Sequence, residues 1–224
     1  VADLLVTGTD TGVGKTVVAA ALVMALRQLG AKAVGFKPIE TGLSATEIAD
    51  SEVLAIASGS RSALVAPLLR LNEPLAPAVA AERAGVVLNA EAVAERVRAL
   101  RAAGHTIVVE GAGGLLVPLA WGYTALDLAA ETNLTAVLVA RAGLGTLNHV
   151  ALSLEALARR EVPVLAVLLN GRGDPPDLAE ATNPAALAKL APDVPILVLP
   201  RQVTSTPLSV ARALVPALVP LLTP

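Results

Sequence analysis

The sequence predicts an α/β fold: a doubly wound, mostly parallel sheet covered by helices on both faces. Three observations carry that expectation. Short apolar runs are continuous rather than alternating, longer helical patterns lie between them, and Gly, Pro or Asn mark the joints. A strand that is apolar at every position needs cover on both faces, which a parallel sheet with crossover helices supplies. Right-handed crossovers then follow.

Strands are expected at Leu4–Val6, Ala33–Phe36, Thr106–Val109, Ala136–Ala140, Val164–Leu169 and Ile196–Leu199. Between the first two, Lys15–Leu29 is rich in Ala and Leu and stops at Gly30, a residue suited to the left-handed turn that ends helices. A shorter helical pattern covers Val53–Ala57, with Asp50 just ahead of it. Asn89 caps Ala90–Ala103, which carries Val93, Val97 and Leu100 along one face and has Gly104 behind it. Thr146–Arg159, Pro184–Leu190 and Leu208–Leu222 complete the helices, the last expected to break at Pro216 and Pro220. No internal repeat, low-complexity tract, Gly/Ser linker or composition shift divides the chain, so residues 1–224 are expected to form one domain.

With 54% hydrophobic and 16% charged residues and a mean hydropathy of +0.68, the composition excludes intrinsic disorder and a highly charged coiled coil. The apolar runs, such as Val17–Leu26 and Val162–Leu169, stop short of the roughly 18–20 residues a membrane span needs. A net charge of −2 argues against a nucleic-acid partner, and no membrane partner is expected either. The absence of cysteine excludes disulfides and thiolate metal sites, and Val1–Asp3 leads straight into strand-like sequence without a basic-then-apolar signal, so a cytoplasmic location is expected. Phe36, Trp121 and Tyr123 are the only aromatic residues of this kind, so Ala, Val and Leu must build the core.

The most informative stretch is Val6-Thr7-Gly8-Thr9-Asp10-Thr11-Gly12-Val13-Gly14-Lys15-Thr16, which follows a strand and opens a helix. A Gly-rich turn there lets backbone N–H groups point at phosphate oxygens, and the helix N-terminus adds its dipole. Lys15 then reaches the terminal phosphates and the Thr16 hydroxyl is placed for Mg²⁺. The spacing is that of a variant P-loop, because Gly8 lies six positions before Gly14 and Thr9 stands where the first glycine of the usual motif falls. A P-loop NTPase-like, three-layer arrangement is thus expected.

Phosphoryl transfer needs carboxylates for the metal as well as Thr16. Glu110 ends an apolar strand and begins Glu110-Gly111-Ala112-Gly113-Gly114, at the sheet edge where open α/β folds bind ligands. Asp50 is a second candidate, with a plain helix-start role as the alternative. Lys37 ends the next strand and projects from the same edge as Lys15, poised at an anionic site in a chain with few lysines. His105 and His149 have no ligand-spaced partners and read as structural, and Asn170 does not belong to an N-K-x-D guanine reader because Gly171 and Arg172 follow it.

In this order, Gly8-Thr9-Asp10-Thr11, Val13-Gly14-Lys15-Thr16, Lys37-Pro38, Thr41-Gly42, Asp50, Ser58-Gly59, Glu110 to Gly114, Pro118-Leu119, Leu144-Gly145, Leu147-Asn148-His149 and Asn170 resemble the dethiobiotin synthetase family. The resemblance implies a homodimer that converts 7,8-diaminononanoate, CO₂ (or bicarbonate) and ATP to dethiobiotin, ADP and phosphate, with Mg²⁺ as the required ion. By that likeness Gly12, Val13, Gly14, Lys15, Thr16 and Val17 cradle the nucleotide, and Thr16, Asp50 and Glu110 surround Mg²⁺. Lys37, Lys15, Thr11 and Thr41 face the substrate carbamate. Gly111, Ala112, Gly113, Asn170, Gly171, Leu199, Pro200 and Arg201 line the nucleotide or the substrate. Leu144, Gly145, Thr146 and Asn148, at a helix start of the partner subunit, receive the distant carboxylate of the substrate. The family chemistry needs no covalent nucleophile, in keeping with a chain that has no cysteine or catalytic triad. Three departures are Gly12, where some relatives carry Glu, Pro77-Ala78, which lacks the His expected after that proline, and Arg201-Gln202-Val203-Thr204-Ser205, which lacks the acidic residue relatives use near the base or sugar.

The rival from another class is a ParA/MinD-like dimeric switch ATPase, which shares the fold. Those proteins carry a signature lysine five positions before the P-loop lysine, where this chain has Asp10. A cobyrinate-amidating ligase needs a glutaminase cysteine, which the chain lacks.

Overall fold

A computed structural model describes residues 2–44, 46–60, 62–201 and 206–223. In chain order the elements are β1 (Leu4–Gly8), α1 (Lys15–Gln28), β2 (Ala33–Phe36), β3 (Ile39–Thr41), α2 (Asp50–Ser58), a 3₁₀ turn (Ala63–Val65), β4 (Leu69–Leu71), α3 (Pro77–Arg83) and α4 (Ala90–Ala102). They continue with β5 (Thr106–Gly114), β6 (Pro118–Ala120), β7 (Tyr123–Thr124), α5 (Ala125–Thr132), β8 (Thr135–Arg141), α6 (Thr146–Arg159), β9 (Val164–Arg172), α7 (Leu178–Leu190), β10 (Ile196–Pro200) and α8 (Pro207–Leu222).

The six expected strands all join one parallel sheet, ordered β10-β9-β8-β1-β5-β2. The chain begins in the middle of this sheet, builds outward to β2, fills in β5, and then crosses to β8 on the other side of β1. That reversal opens a crevice at the C-terminal ends of β1, β5 and β8, where ligands of open α/β sheets bind. Leu4, Val6, Val108 and Val137 pack on one face against α1, α2 and α8, while Leu5, Ile107, Val109 and Ala136 pack on the other against α4, α5 and α6. Alternate residues of each strand thus serve opposite layers, the reason the strands read as unbroken apolar runs. Farther along that second face, Leu138, Val167 and Leu169 meet Val150 of α6 and Leu187 of α7.

Two helices differ from the sequence reading. α7 starts at Leu178 rather than Pro184, because Asp177 accepts from the Glu180 N–H and Glu180 accepts in return from the Asp177 N–H, a reciprocal capping box that fixes the start upstream of the proline. α8 runs unbroken from Pro207 to Leu222. Its buried positions are Ala211, Leu214, Leu218 and Leu222, whereas Pro216 and Pro220 sit on the exposed side, where water can satisfy the carbonyls they strand. α3, α5 and the short strands β3, β4, β6 and β7 were not anticipated. β3 pairs with β4 in a small parallel annex, Glu40 opposite Arg70. β6 and β7 form an antiparallel ribbon whose turn carries Trp121, 65% exposed, its indole N–H donating to Glu82 of α3 at 2.9 Å.

Candidate active site

The loop between β1 and α1 is shaped by two glycines. A Cβ on Gly8, the last residue of β1, would lie 2.8 Å from Val13 Cγ2, so the glycine displaced by one position relative to the usual motif performs the tight turn. Gly14 adopts φ +99° at the start of α1, and a Cβ there would lie 2.0 Å from Asn170 Nδ2. The same Asn170 amide, projecting from the end of β9, donates to the Val13 carbonyl at 2.9 Å and so pins the loop to the neighbouring strand. Lys15 Nζ folds over the loop and donates to the Asp10 carbonyl at 2.8 Å.

Four side chains from four elements meet beside this loop. The Thr16 hydroxyl of α1 lies 2.8 Å from Asp50 Oδ1 at the start of α2 and 2.9 Å from Glu110 Oε1 in β5. Lys37, just past β2, donates to Asp50 Oδ2 at 2.8 Å, to Glu110 Oε1 at 2.7 Å and to the Gly111 carbonyl at 3.4 Å. Lys37 and Glu110 are both buried. Burial disfavours the Lys37 ammonium, but the charges of Glu110 and Asp50 outweigh it and hold the group above the usual lysine range. Burial pushes the Glu110 carboxyl up in spite of Lys37. For Asp50 burial acts in the same direction, yet Lys37 and the Thr16 hydroxyl prevail and hold it below the ordinary aspartate value. Burial, then repulsion from Lys37, lowers Lys15.

The donor chemistry fits a hard cation. Thr16, Asp50 and Glu110 offer only oxygen, and Glu110 Oε2 is buried with no hydrogen-bond partner among the described residues. Among those residues no cluster of three or more His, Cys, Asp or Glu forms a closed metal cage. Two carboxylates and a hydroxyl suit Mg²⁺, which keeps waters and takes phosphate oxygens rather than an all-protein shell.

The other expected residues fall at four places. Thr11 and Gly12 are exposed on the loop, and a Cβ on Gly113 would stand 3.5 Å from Thr11 Oγ1, so the end of β5 lies against it. Val17 and Ala112 turn their side chains toward the apolar core, which leaves the backbone for a ligand. Thr41 lines a small cavity together with Glu40, Gly42 and Asp50. Gly171, Leu199, Pro200 and Arg201 sit at the ends of β9 and β10, where the Arg201 N–H donates to the Arg172 carbonyl at 2.8 Å. The expected lack of an acidic residue after Arg201 falls on 202–205, outside the described residues.

Leu144, Gly145, Thr146 and Asn148 lie at the N-terminus of α6, just past the C-terminal end of β8. Gly145 offers no side-chain cap, and the buried Thr146 hydroxyl has no hydrogen-bond partner among the described residues. Between this helix and the β5–β6 turn lies a cavity of about 390 Å³, lined largely by apolar residues such as Leu115, Val117 and Leu152, with Thr9 and His149. Two features escaped sequence reasoning. Arg141, at the end of β8, pairs with Asp10 at 2.8 Å, and Glu40, Ser51 and Arg70 form a polar cluster beneath Asp50.

An AAA-domain family model matches residues 2–207. An ATP-dependent dethiobiotin synthetase of Anaeromyxobacter dehalogenans (strain 2CP-C) is 49% identical over 198 residues, covering 88% of this chain and 89% of the relative. One from Mycobacterium tuberculosis (strain ATCC 25177 / H37Ra) is 44% identical over 190 residues, covering 84% and 83%. Among solved structures, the Cyanothece McdA–ATP complex superposes with a TM-score of 0.53 at 15% identity, covering 88% of this chain and 82% of that one. The septum site-determining protein MinD with Mg-ADP from Pyrococcus horikoshii OT3 gives 0.52 at 20% identity, covering 89% and 82%. At such identities these two likenesses speak for the fold alone, the P-loop NTPase-like three-layer α/β arrangement.

Proposed function

We propose a mechanism from the premise that this chain belongs to the family of ATP-dependent dethiobiotin synthetases. It is an ATP-dependent ligase of biotin biosynthesis that acts on a small-molecule substrate, closing the ureido ring of dethiobiotin from 7,8-diaminononanoate and CO₂. The observation that carries the assignment of roles is the convergence of Thr16, Lys37, Asp50 and Glu110 beside the P-loop.

One amine of the substrate forms an N–C bond to CO₂ and loses a proton, giving a carbamate. A carbamate oxygen then attacks the γ-phosphorus of ATP, the bond to ADP breaks, and a carbamic–phosphoric mixed anhydride results. The second amine attacks the carbonyl carbon, and phosphate leaves as the ring closes. Two anions must approach in the middle step, so cationic groups set its rate. In our reading Lys15 neutralises the terminal phosphates, while Lys37, together with Thr11 and Thr41, orients the carbamate. Mg²⁺ held by Thr16, Asp50 and Glu110 would draw charge from the phosphates and balance the two carboxylates that Lys37 bridges here. The loop backbone from Gly12 to Val17, together with Gly111 to Gly113, holds the nucleotide. Asn170, Gly171 and Leu199 to Arg201 form its base and sugar end. The ring closure needs no enzyme nucleophile, since the attacking amine is already part of the same molecule.

We infer a homodimer, supported by the apolar cavity beside α6 and by Leu116 and Leu152 at its rim, 60% and 57% exposed. The Thr146 hydroxyl, without a hydrogen-bond partner among the described residues and at the N-terminus of α6, suits a carboxylate delivered across such an interface. Among the described residues no helix is long and apolar enough to cross a membrane. A cytoplasmic setting, where ATP is supplied, fits the reaction.

The test is phosphate release from ATP with diaminononanoate and bicarbonate added singly and together. Release is expected only with both. Release indifferent to both additions would favour the switch-ATPase reading and overturn this one.

A further inference from the structure

Within the cluster Thr16 belongs to the P-loop, Glu110 to β5 and Lys37 to the end of β2, whereas Asp50 stands on a separate helix. It is the first residue of α2, reached through the segment 42–49, which carries no helix or strand among its described residues. The residue at the N-cap position, Ala49, has no side chain able to cap, so the first-turn N–H groups of the helix lack a local side-chain acceptor. The missing acceptor arrives from elsewhere. Glu40, at the middle of β3 and only 3% exposed, accepts from the Ser51 N–H at 3.0 Å with Oε1 and from the Ser51 hydroxyl at 2.7 Å with Oε2. Arg70, directly opposite on β4, donates to Glu40 Oε2 at 3.1 Å and to the Ser51 hydroxyl at 3.1 Å. Glu40 lies three residues after Lys37, so one short stretch of chain presents both the ammonium that pairs with Asp50 and the carboxylate that anchors its neighbour.

We propose that Glu40, braced by Arg70, is a positioning residue that sets the Asp50 carboxylate for the divalent cation by capping α2 through Ser51. The β3–β4 annex is the device that carries this cap, and it ties the geometry of α2 to that of Lys37. This inference rests on the reading of Asp50 as a cation ligand given above. Groups hydrogen-bonded to a metal ligand are worth about ten- to a hundred-fold in metal affinity; Glu40 acts one residue removed, through Ser51, so the lower end of that range is expected.

The experiment measures Mn²⁺ affinity by the electron paramagnetic resonance of the free ion, with a non-hydrolysable ATP analogue present. It compares the wild type with Glu40→Gln, Arg70→Met, Asp50→Asn and the double variant Glu40→Gln/Asp50→Asn. Glu40→Gln keeps the shape of the side chain, and Arg70→Met perturbs the same support from an exposed position, so at least one variant stays folded. Expected is a loss of about ten-fold or more for Glu40→Gln, a smaller loss for Arg70→Met, and no further loss when Glu40→Gln is added to Asp50→Asn. Wild-type Mn²⁺ affinity in Glu40→Gln, with Asp50→Asn weakened, overturns the positioning role and leaves the ligand reading standing. Unchanged affinity in both overturns the two together. Losses that simply add in the double variant show a general effect on folding and also overturn the proposal.

Discussion

Lys15 and Lys37 are both buried at the same edge of the sheet, yet their surroundings divide their duties. Among the described residues the Lys15 ammonium hydrogen-bonds only a backbone carbonyl of its own loop, and burial and the second cation lower its affinity for a proton. Lys37 is saturated by two carboxylates and is held charged. Lys15→Ala is therefore expected to weaken nucleotide binding and to slow turnover. Lys37→Ala should cut kcat by about 10²–10³-fold, in the range for removal of one charge-stabilising donor, with nucleotide affinity largely kept. Steady-state kinetics beside equilibrium titration of an ATP analogue checks both. Retained turnover in Lys37→Ala would sink the carbamate role. These residues were legible because each follows a recognisable strand or opens a helix. Glu40 and Arg70 were not, since their meaning lies in contacts 11 and 30 residues along the chain, with no local period to reveal them.

At the scale of elements, the central strands stood out because both faces of each are covered, which makes apolarity continuous. Three-residue strands such as β3 and β4 carry no such signal, and α5 is short enough to pass for part of a loop. Its start is nevertheless written in the chain as a capping box. The Thr124 hydroxyl accepts from the Asp127 N–H at 3.3 Å, and the Asp127 carboxylate accepts from the Thr124 N–H at 2.9 Å. Burial opposes the charge on Asp127, but the bonds from Thr124 and the Arg160 guanidinium 2.6 Å away outweigh it, so the carboxyl lies below the ordinary aspartate value. A depressed folded value means that the stabilisation is complete above the unfolded value of about 3.9 and is lost as pH falls through the lower folded one. Urea unfolding is expected to show Thr124→Ala less stable by about 1 kcal/mol near neutrality. Asp127→Asn should lose less stability than the wild type on acidification below that range. Equal acid sensitivity of Asp127→Asn and wild type would exclude this carboxyl as a source of the pH dependence.

The whole molecule gathers its phosphate loop, its carboxylates and both lysines at one end of a sheet whose middle strand is the first to be laid down. The α6 N-terminus follows β8 at that same end, with Leu144 89% exposed beside it. A second copy covering that surface would account for this exposure. Leu152→Asp is expected to weaken self-association by about 2 kcal/mol or more, read by sedimentation velocity, and to raise KM for the diamine more than KM for ATP. A monomeric wild type at micromolar concentration would refute the interface. Because the molecule has a single indole, at the turn of the β6–β7 ribbon and tethered to α3, its ultraviolet emission has no background from other tryptophans. Any quenching or spectral shift on adding ligand therefore arises at that one seam, and the unlabelled enzyme is its own optical gauge of whether the ribbon moves.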